Sequence, residues 1–471
     1  MSLTRRQFMK RAGVVTAGSL AGPRLIGNPF VSEASANTIG DRYQVTLFLD
    51  GGNDGLNTVI PLSNEAGFRT AYETFRQTPG SGGIRINPGE EFVPSSPMID
   101  PGTGTALGLH PGLQALGSLY DDGKLAIIQG TGYPDYSLSH ETSRNRWQRA
   151  DPTAPSPQPG SGWLGRHLGQ FYGPSDAPAV SISSSIAQEQ KTTDTNVLAI
   201  SRLRSYGFPF DRTDSSDNSN FQAAYSGLSI EAGNSPQPGL ALIGNTSQAT
   251  LQSTQDYPAL HSTYEDERAG WSQLYDDLNS SCARDLKEIA KIIYGVENGA
   301  AGVNARFFRL RNGGYDTHAD QGGATGQHYD LHEEVALALS LFCQEMTDMG
   351  VFGRMNIMVY SEFSRRLPQN SNGTDHGSQG PMFVIGDTVN GGVYGNHPNI
   401  VEEAMDDREN SVYSQDPGDA HRSTDFRDVY GTILKHHIGM DEASILTHVL
   451  PADVGPDAEY WTNPDLNMGF L

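Results

Sequence analysis

The sequence predicts an α/β protein with a largely parallel central sheet and helices on both of its faces. Short, continuous apolar runs at 45–49 and 357–360 indicate buried strands, because both faces of a strand in such a sheet are covered. Apolar residues recur at helical spacing from Leu331 to Met346 and indicate an amphipathic helix. Strands that alternate with helices in this way are typical of parallel sheets.

The expected strands lie next to polar or glycine-rich segments. The first, at 45–49, stops at the tight turn Asp50-Gly51-Gly52-Asn53-Asp54-Gly55, and the others are expected at 125–128, 306–310, 357–360 and 382–385. We expect one domain over residues 37–471, because segments with motifs lie at both ends of that range. The stretch from 174 to 265 is rich in Ser, Thr, Asn, Asp and Gln, and we interpret it as a polar insertion or cap.

Residues 1–36 have the layout of an export signal. Arg5 and Arg6 precede an uncharged stretch at 12–22, and Ala34-Ser35-Ala36 offers the small residues that a signal peptidase accepts. The arginine pair predicts export by the twin-arginine translocase to the periplasm, the cell surface or the medium. Because the apolar stretch is shorter than the ~20 residues that span a bilayer, we expect no stable membrane insertion. A retained, uncleaved signal is the alternative.

The chain is strongly acidic, with 55 Asp and Glu against 32 Lys and Arg and a formal net charge of −23. A surface of that sign repels nucleic acid and anionic lipid, so we expect neither as a partner. An anionic substrate would therefore need a local metal ion or arginines.

The two cysteines, Cys282 and Cys343, are too few for a disulfide framework. Both lie on apolar helical patterns, which predicts buried thiols. A single disulfide between them is the alternative.

Candidate metal ligands follow or precede most of the expected strands. In open α/β sheets, sites lie beyond the carboxyl ends of the strands, so these side chains are expected to meet at one edge. Carboxylates and imidazoles gathered there can hold zinc, manganese or another divalent ion. Each residue alone also fits the ordinary chemistry of a turn or loop. Their occurrence next to several expected strands is what favours a metal site. The residues are Asp54, Ser139, His140, Asp316, His318, Glu362 and His376.

Motifs along most of the chain resemble those of the bacterial domain of unknown function family 1501, whose members are typically exported by the twin-arginine pathway. That family resembles a branch of the alkaline phosphatase and sulfatase superfamily, which implies an alkaline phosphatase-like fold. The matching stretches are Gly51-Gly52-Asn53-Asp54-Gly55-Leu56-Asn57, Ser139-His140, Gly162-Trp163-Leu164-Gly165-Arg166, Gly314-Tyr315-Asp316-Thr317-His318, Ser361-Glu362-Phe363-Ser364-Arg365-Arg366, Gly373-Thr374-Asp375-His376-Gly377 and Thr424-Asp425-Phe426-Arg427.

The superfamily resemblance implies a set of metal ligands. Asp54 matches its first metal-binding Asp, and Asp316 and His318 match its middle pair, at a closer spacing than usual. Glu362 falls where the superfamily has Asp, and His376 matches its final His. One or two ions of zinc, manganese, magnesium or calcium would bind to this set.

Phe363 departs from the superfamily pattern, because the enzymes usually supply a histidine at that position. The departure leaves Asp316, His318 and His376 as the better metal site. His140 is the candidate that would fill the gap from another loop, and Asp50 is the alternative to Asp54.

The catalytic candidates are Ser139, His140 and Arg365. A serine hydroxyl is a poor nucleophile near neutral pH, so Ser139, with Ser137 as the alternative, would need a metal or a neighbouring base. Arg365 or Arg366 would clamp the ester oxygens through bidentate hydrogen bonds.

These implications predict an exported, metal-dependent hydrolase of phosphate or sulfate esters, with a small-molecule or glycan ester as substrate. The alternative is a non-catalytic exported protein that keeps the fold and binds partners through its surface. Phe363 and the close spacing of Asp316 and His318 favour that alternative.

Overall fold

The computed structural model describes residues 41–78, 82–154, 160–174, 176–207, 215–401, 418–420, 422–450, 461 and 464–471. The segment interpreted as an export signal, 1–36, lies outside these residues. The strands are β1 (Tyr43–Asp50), β2 (Val59–Pro61), β3 (Leu107–Leu109), β4 (Leu125–Gly132), β5 (Ala179–Ser181), β6 (Val197–Ala199), β7 (Phe307–Gly313), β8 (Met355–Tyr360), β9 (Arg365–Asn370), β10 (Gly373–His376), β11 (Gly380–Ile385), β12 (Gly392–Tyr394) and β13 (Thr424–Asp425).

The α-helices are α1 (Gly55–Thr58), α2 (Phe68–Phe75), α3 (Gly117–Asp121), α4 (His140–Arg149), α5 (Trp163–Phe171), α6 (Ser215–Gly233), α7 (Pro238–Glu267), α8 (Ala269–Leu278), α9 (Ser281–Glu297), α10 (Gln327–Asp348), α11 (Phe426–Thr432) and α12 (Glu442–Ser444). The amphipathic helix expected between Leu331 and Met346 is confirmed as part of α10. No helix in the part of the chain described above is long and apolar enough to cross a membrane.

The predicted largely parallel sheet is confirmed. Its strand order is β12-β4-β11-β8-β1-β7-β5-β6, and β13 pairs with β4. β1 is central and runs parallel to both β7 and β8. β11 is the antiparallel member, paired with β4 and β8. All five strands expected from the apolar runs lie in this sheet.

Two separate hydrophobic cores cover the two faces of the sheet. Because successive side chains of a strand point to opposite faces, Leu47 and Phe48 of β1 enter different cores. Leu47 packs in the core that includes Ile289 of α9 and Leu339 of α10. Phe48 packs in the core with Trp147 of α4, where the exposed fraction of both side chains is close to zero. All eight side chains of β1 are buried, which explains why apolar residues occupy successive positions from Leu47 to Leu49.

The stretch at 174–265, interpreted as a polar insertion, has two parts. Its first part supplies β5 and β6, which extend the central sheet beyond β7. Its second part forms the long helices α6 and α7. A strand of three residues is too short to leave a recognisable apolar run, so composition alone did not separate these parts.

Cys282 in α9 and Cys343 in α10 are both buried and free, which confirms the prediction of buried thiols. Burial raises the pKa of the Cys343 thiol to about 12. The thiol therefore stays protonated at neutral pH and acts as a small apolar side chain.

Candidate metal centre

Three of the predicted residues meet beyond the carboxyl ends of the central strands. His140 is the first residue of α4, Asp316 follows β7, and His376 ends β10. One ligand atom of each lies within 4.8 Å of the others. The cluster reaches solvent, because the Asp316 side chain is 48% exposed.

His318 joins two members of this cluster. Its Nε2 lies 3.1 Å from Asp316 Oδ1 and 2.9 Å from His376 Nε2. Its other ring nitrogen, Nδ1, lies 3.2 Å from Asp375 Oδ1. Two histidines and one carboxylate oxygen therefore form a tight triangle, with His140 beside it.

The spacing of these atoms fits a tetrahedral metal site. Bonds of about 2.1 Å from zinc to nitrogen and oxygen set neighbouring ligand atoms about 3.4 Å apart. Asp316 Oδ1 lies 3.2 Å from His376 Nε2 and 3.4 Å from His140 Nε2. The His140 Nε2 atom is buried and has no hydrogen-bond partner. A buried nitrogen without a partner costs free energy, and a bound cation would remove that cost.

Glu362 lies behind the cluster and hydrogen-bonds to one of its members, His140. Its carboxylate is fully buried and lies 2.8 Å from His140 Nδ1, so the imidazole donates there and, in the neutral ring, Nε2 carries the lone pair. That hydrogen bond raises the pKa of His140, although burial opposes it. The sequence placed Glu362 among the candidate metal ligands, whereas in the structure its carboxylate bonds to a candidate ligand histidine.

The glycine turn after β1 holds Glu362 in this position. The backbone nitrogens of Gly51 and Gly52 donate to its carboxylate at 3.1 and 3.3 Å. Their φ angles of +124° and +80° lie in the region that favours glycine. A Cβ at Gly51 would overlap the backbone nitrogen of Asp316, and one at Gly52 would overlap the Phe363 ring. The turn therefore allows β1 to approach the site closely.

Arg365 is buried and positions Asp316. Its Nη2 donates to Asp316 Oδ1 at 2.7 Å and to the Tyr315 carbonyl at 3.0 Å. Its Nε and Nη1 donate to the carbonyls of Gly52 and Thr374. Partial burial would raise the pKa of Asp316, but the hydrogen bond and charge of Arg365 hold it down to about 2. With its donors engaged inside the protein, Arg365 is a positioning residue rather than an ester clamp.

The other arginine considered as a clamp, Arg366, pairs with the buried Asp419 at 3.2 Å. Its guanidinium is therefore held by a carboxylate outside the cluster.

Asp54 is not brought to the cluster. Its Oδ1 lies 2.8 Å from Arg76 Nη2, and its Oδ2 accepts from Gln321 Nε2 at 2.6 Å. The side chains of Asp54 and Arg76 are both completely buried. The carboxylate is therefore engaged in a buried ion pair. Its partner, Arg76, lies outside the glycine turn, so the turn motif alone could not identify it.

Phe363 forms a wall of the cluster. Its ring centroid lies 4.9 Å from that of His140 and 4.8 Å from that of His376. The departure from the superfamily pattern thus places an apolar ring against two candidate ligand histidines.

Ser139 lies at the exposed start of α4. Its hydroxyl accepts a hydrogen bond from the Thr142 nitrogen at 3.5 Å and caps the helix. The carbonyl of the preceding residue, Leu138, lies 2.7 Å from His376 Nδ1. Ser139 therefore lies between a residue that contacts the cluster, Leu138, and a member of the cluster, His140. The alternative, Ser137, is buried and accepts from the Ser139 nitrogen.

Two arginines near the cluster were missed in the sequence. Arg144 lies one turn after His140 on α4, and its Nη2 is 2.6 Å from Asp50 Oδ1. Arg311 of β7 pairs with the other oxygen of Asp50, and its side chain is 54% exposed. Asp50, the alternative ligand, is therefore held by two arginines. The spacing of His140 and Arg144 was a signal available in the sequence.

Comparisons with known proteins give a family match and similarities to solved structures. A family model described as "Protein of unknown function (DUF1501)" matches residues 101–447, more than half of the chain. A solved structure described as PsFucS1 sulfatase from Pseudoalteromonas sp. is similar with a TM-score of 0.33 and 9% sequence identity. That similarity covers 98% of this chain and 77% of the other. No curated protein matches the sequence.

Proposed function

The chain belongs to the DUF1501 family of proteins of unknown function, and on that premise we propose that it is a metal-dependent hydrolase of phosphate or sulfate esters. The observation that carries the proposal is the buried Nε2 of His140, which lacks a hydrogen-bond partner and faces Asp316 Oδ1 at 3.4 Å. The resemblance of the motifs to the alkaline phosphatase and sulfatase superfamily supports ester hydrolysis as the reaction.

One divalent ion would bind to His140, Asp316 and His376, with His318 as the fourth protein ligand. Imidazoles outnumber carboxylates in this set, which favours zinc over magnesium or calcium. A bound ion would supply Lewis acidity toward an oxygen of the ester. We propose one tight site rather than two, because Asp54 and Glu362 are engaged elsewhere.

Arg144 and Arg311 are proposed to bind the anionic group of the ester. Both lie at the edge of the sheet where the cluster forms, and together they face a single carboxylate, that of Asp50. Two guanidinium groups opposite one carboxylate leave an excess of positive charge. Arginine matches phosphate and sulfate through paired hydrogen bonds.

Ser139 is proposed as the nucleophile. Its oxygen would form a bond to phosphorus or sulfur while the bond to the alcohol oxygen breaks. With activation from the Lewis acidity of the bound ion, the hydroxyl would lose its proton to water at this exposed position, and the alcohol would take a proton from water. A second water would then hydrolyse the ester on Ser139. The position next to His140 supports this role.

Export through the twin-arginine pathway belongs to the same proposal and rests on Arg5 and Arg6. Replacing both with lysine should leave precursor in the cytoplasm, because the translocase reads the arginine pair. Arg24→Lys, a change of the same kind outside the pair, is the control. Normal export of the double variant would contradict the assignment.

A second candidate function is metal-dependent binding without catalysis. The burial of Arg365 and the Phe363 wall favour it, because both remove groups that would otherwise contact an ester.

The test combines metal analysis with an assay on 4-nitrophenyl phosphate and 4-nitrophenyl sulfate. We expect about one zinc or manganese per chain, and loss of both metal and activity in His376→Ala. His448→Ala, which removes an exposed histidine, is the control. Metal without turnover of either ester would favour the binding protein, and a wild-type protein that takes up no metal would exclude both candidates.

A further inference from the structure

A second concave site lies away from the metal cluster, between α7, α9 and the single helical turn Leu203–Ser205. Its volume is about 590 Å³, which is in the range of pockets that hold small molecules. Its lining holds five cationic side chains against three carboxylates, within a chain whose net charge is −23. The pocket residues are Arg202, Arg204, Ser205, His261, Glu265, Asp276, Arg284, Lys287, Glu288 and Lys291.

The floor of this pocket is a matched network of charges. Lys287 is buried and lies 2.9 Å from Asp276 and 3.2 Å from Glu265. Lys291 is buried and lies 2.9 Å from Glu288 and 3.2 Å from Glu265. The three carboxylates of the lining are thus all engaged by the two lysines, and they stabilise the floor rather than repel a ligand at the mouth.

The mouth of the pocket carries three arginines. Arg202 pairs with Asp285 at 2.8 Å, and its side chain stays 39% exposed. Arg204 and Arg284 are exposed, and neither forms an ion pair with any residue that the structure describes. Arg284 interacts electrostatically with the carboxylate of its neighbour Asp285. Two guanidinium groups outside ion pairs on one concave surface create a local positive potential, although the net charge of the chain is negative.

His261 adds a neutral donor to the lining. Its Nδ1 lies 3.1 Å from the Lys291 ammonium, so this nitrogen accepts and the proton of the neutral ring is on Nε2. Burial and the charge of Lys291 lower the pKa of His261, so the ring is neutral at physiological pH.

We propose that this pocket binds a phosphate or sulfate group through Arg204 and Arg284, with Arg202 and His261 as further donors. Guanidinium groups bind such oxyanions with paired hydrogen bonds. The volume exceeds that of the inorganic ion, so the group is carried by a molecule of about the size of a monosaccharide. The site is independent of the metal cluster, and the proposal holds whether or not the protein hydrolyses esters.

The test is calorimetric titration of the full protein with four probes: inorganic phosphate, inorganic sulfate, glucose 6-phosphate and glucose 6-sulfate. Arg204→Ala/Arg284→Ala is the site variant. Loss of two charge-assisted hydrogen-bonding groups should weaken binding about a hundredfold. Lys124→Ala/Lys435→Ala removes the same charge from exposed ion pairs elsewhere and should leave the affinity unchanged.

All titrations are repeated on His376→Ala, so that a probe bound at the metal cluster is recognised by its loss there. Binding of the sugar esters alone identifies a group carried on an organic molecule, and binding of the free ions as well identifies the oxyanion itself as sufficient. Either result supports the proposal if the site variant abolishes it and His376→Ala does not. Equal affinity in the wild type and the site variant, or no binding of any probe at about 10 mM, overturns it. Thermal melting of each variant checks that the fold is intact.

Discussion

The imidazole of His140 and the buried carboxylate of Glu362 lie 2.8 Å apart, and this pair joins the glycine turn to the metal cluster. The carboxylate is fixed by the backbone of Gly51 and Gly52, and it directs the other ring nitrogen of His140 toward Asp316. Glu362 resembles a metal ligand in the sequence, but in the structure its carboxylate bonds to His140, which is itself a candidate ligand.

Replacing Glu362 by Gln should weaken metal binding while leaving the number of sites unchanged. The amide keeps the shape of the side chain but removes the negative charge that favours the Nδ1-protonated ring of His140. Changes to a residue that hydrogen-bonds to a ligand histidine lower metal affinity about 10–100-fold. Competitive titration with a zinc indicator measures the affinity. The same loss in Glu345→Gln, a buried carboxylate paired with Arg268 elsewhere, would show that the effect is not specific to His140.

Asp54→Asn should lower stability without removing metal. It leaves the buried Arg76 guanidinium without its carboxylate, and breaking a buried ion pair costs about 3–5 kcal/mol. Urea denaturation measures the free energy of unfolding, and metal analysis gives the stoichiometry. Asp316→Asn is the matched comparison, because it also removes the carboxylate partner of a buried arginine, Arg365, but should in addition lose metal. Loss of metal in Asp54→Asn with stability intact would make Asp54 a ligand.

Phe363→His should strengthen the existing metal site rather than create a second one. The ring lies beside His140 and His376, and the oxygens of Asp54 are already bonded, so a new imidazole has only the one cluster to join. Calorimetry should give one ion per chain in both proteins. Phe363→Leu controls for the lost aromatic packing, which would cost stability without affecting metal. Two ions bound to Phe363→His would contradict the prediction.

Arg311→Ala should raise KM for the ester about tenfold, as expected for loss of one hydrogen bond to a charged group, with metal content unchanged. Arg311→Lys should recover part of the affinity, because lysine keeps the charge but not the paired geometry. Steady-state kinetics on the metal-loaded protein measure both. A fall in kcat with KM unchanged would place Arg311 outside substrate binding.

The stability of the protein should fall as pH rises through the pKa of Asp428. Burial raises this pKa from 3.8 to about 6, so the protonated acid is favoured in the fold. Its contribution to the free energy of unfolding, roughly 2–3 kcal/mol, is complete below pH 3.8 and is lost as pH rises through 6. Asp428→Asn should therefore be more stable than the wild type at pH 7 and similar at pH 4. Urea denaturation at both pH values measures the difference, and Asp122→Asn, an exposed change, should show none.

The sequence by itself determined five strands of the central sheet, the glycine turn and the edge of the sheet at which polar residues gather. Those features are local: a strand buried on both faces needs a continuous apolar run, as at 45–49, and a close backbone approach at Gly51 needs a residue without a Cβ. The sequence also placed His140, Asp316, His318 and His376 at neighbouring strand ends, where the structure brings them together.

Only the tertiary structure decided what each polar residue binds. Asp54, Glu362 and Arg365 have the residue types of a metal or ester site. In the structure, Asp54 pairs with Arg76 and Glu362 bonds to His140. Arg365 donates to Asp316. A buried charge must find a partner wherever the fold supplies one, and here the partners lie on segments distant in sequence. Residue type and spacing describe what a side chain is able to bind, whereas long-range packing selects the atom that it meets.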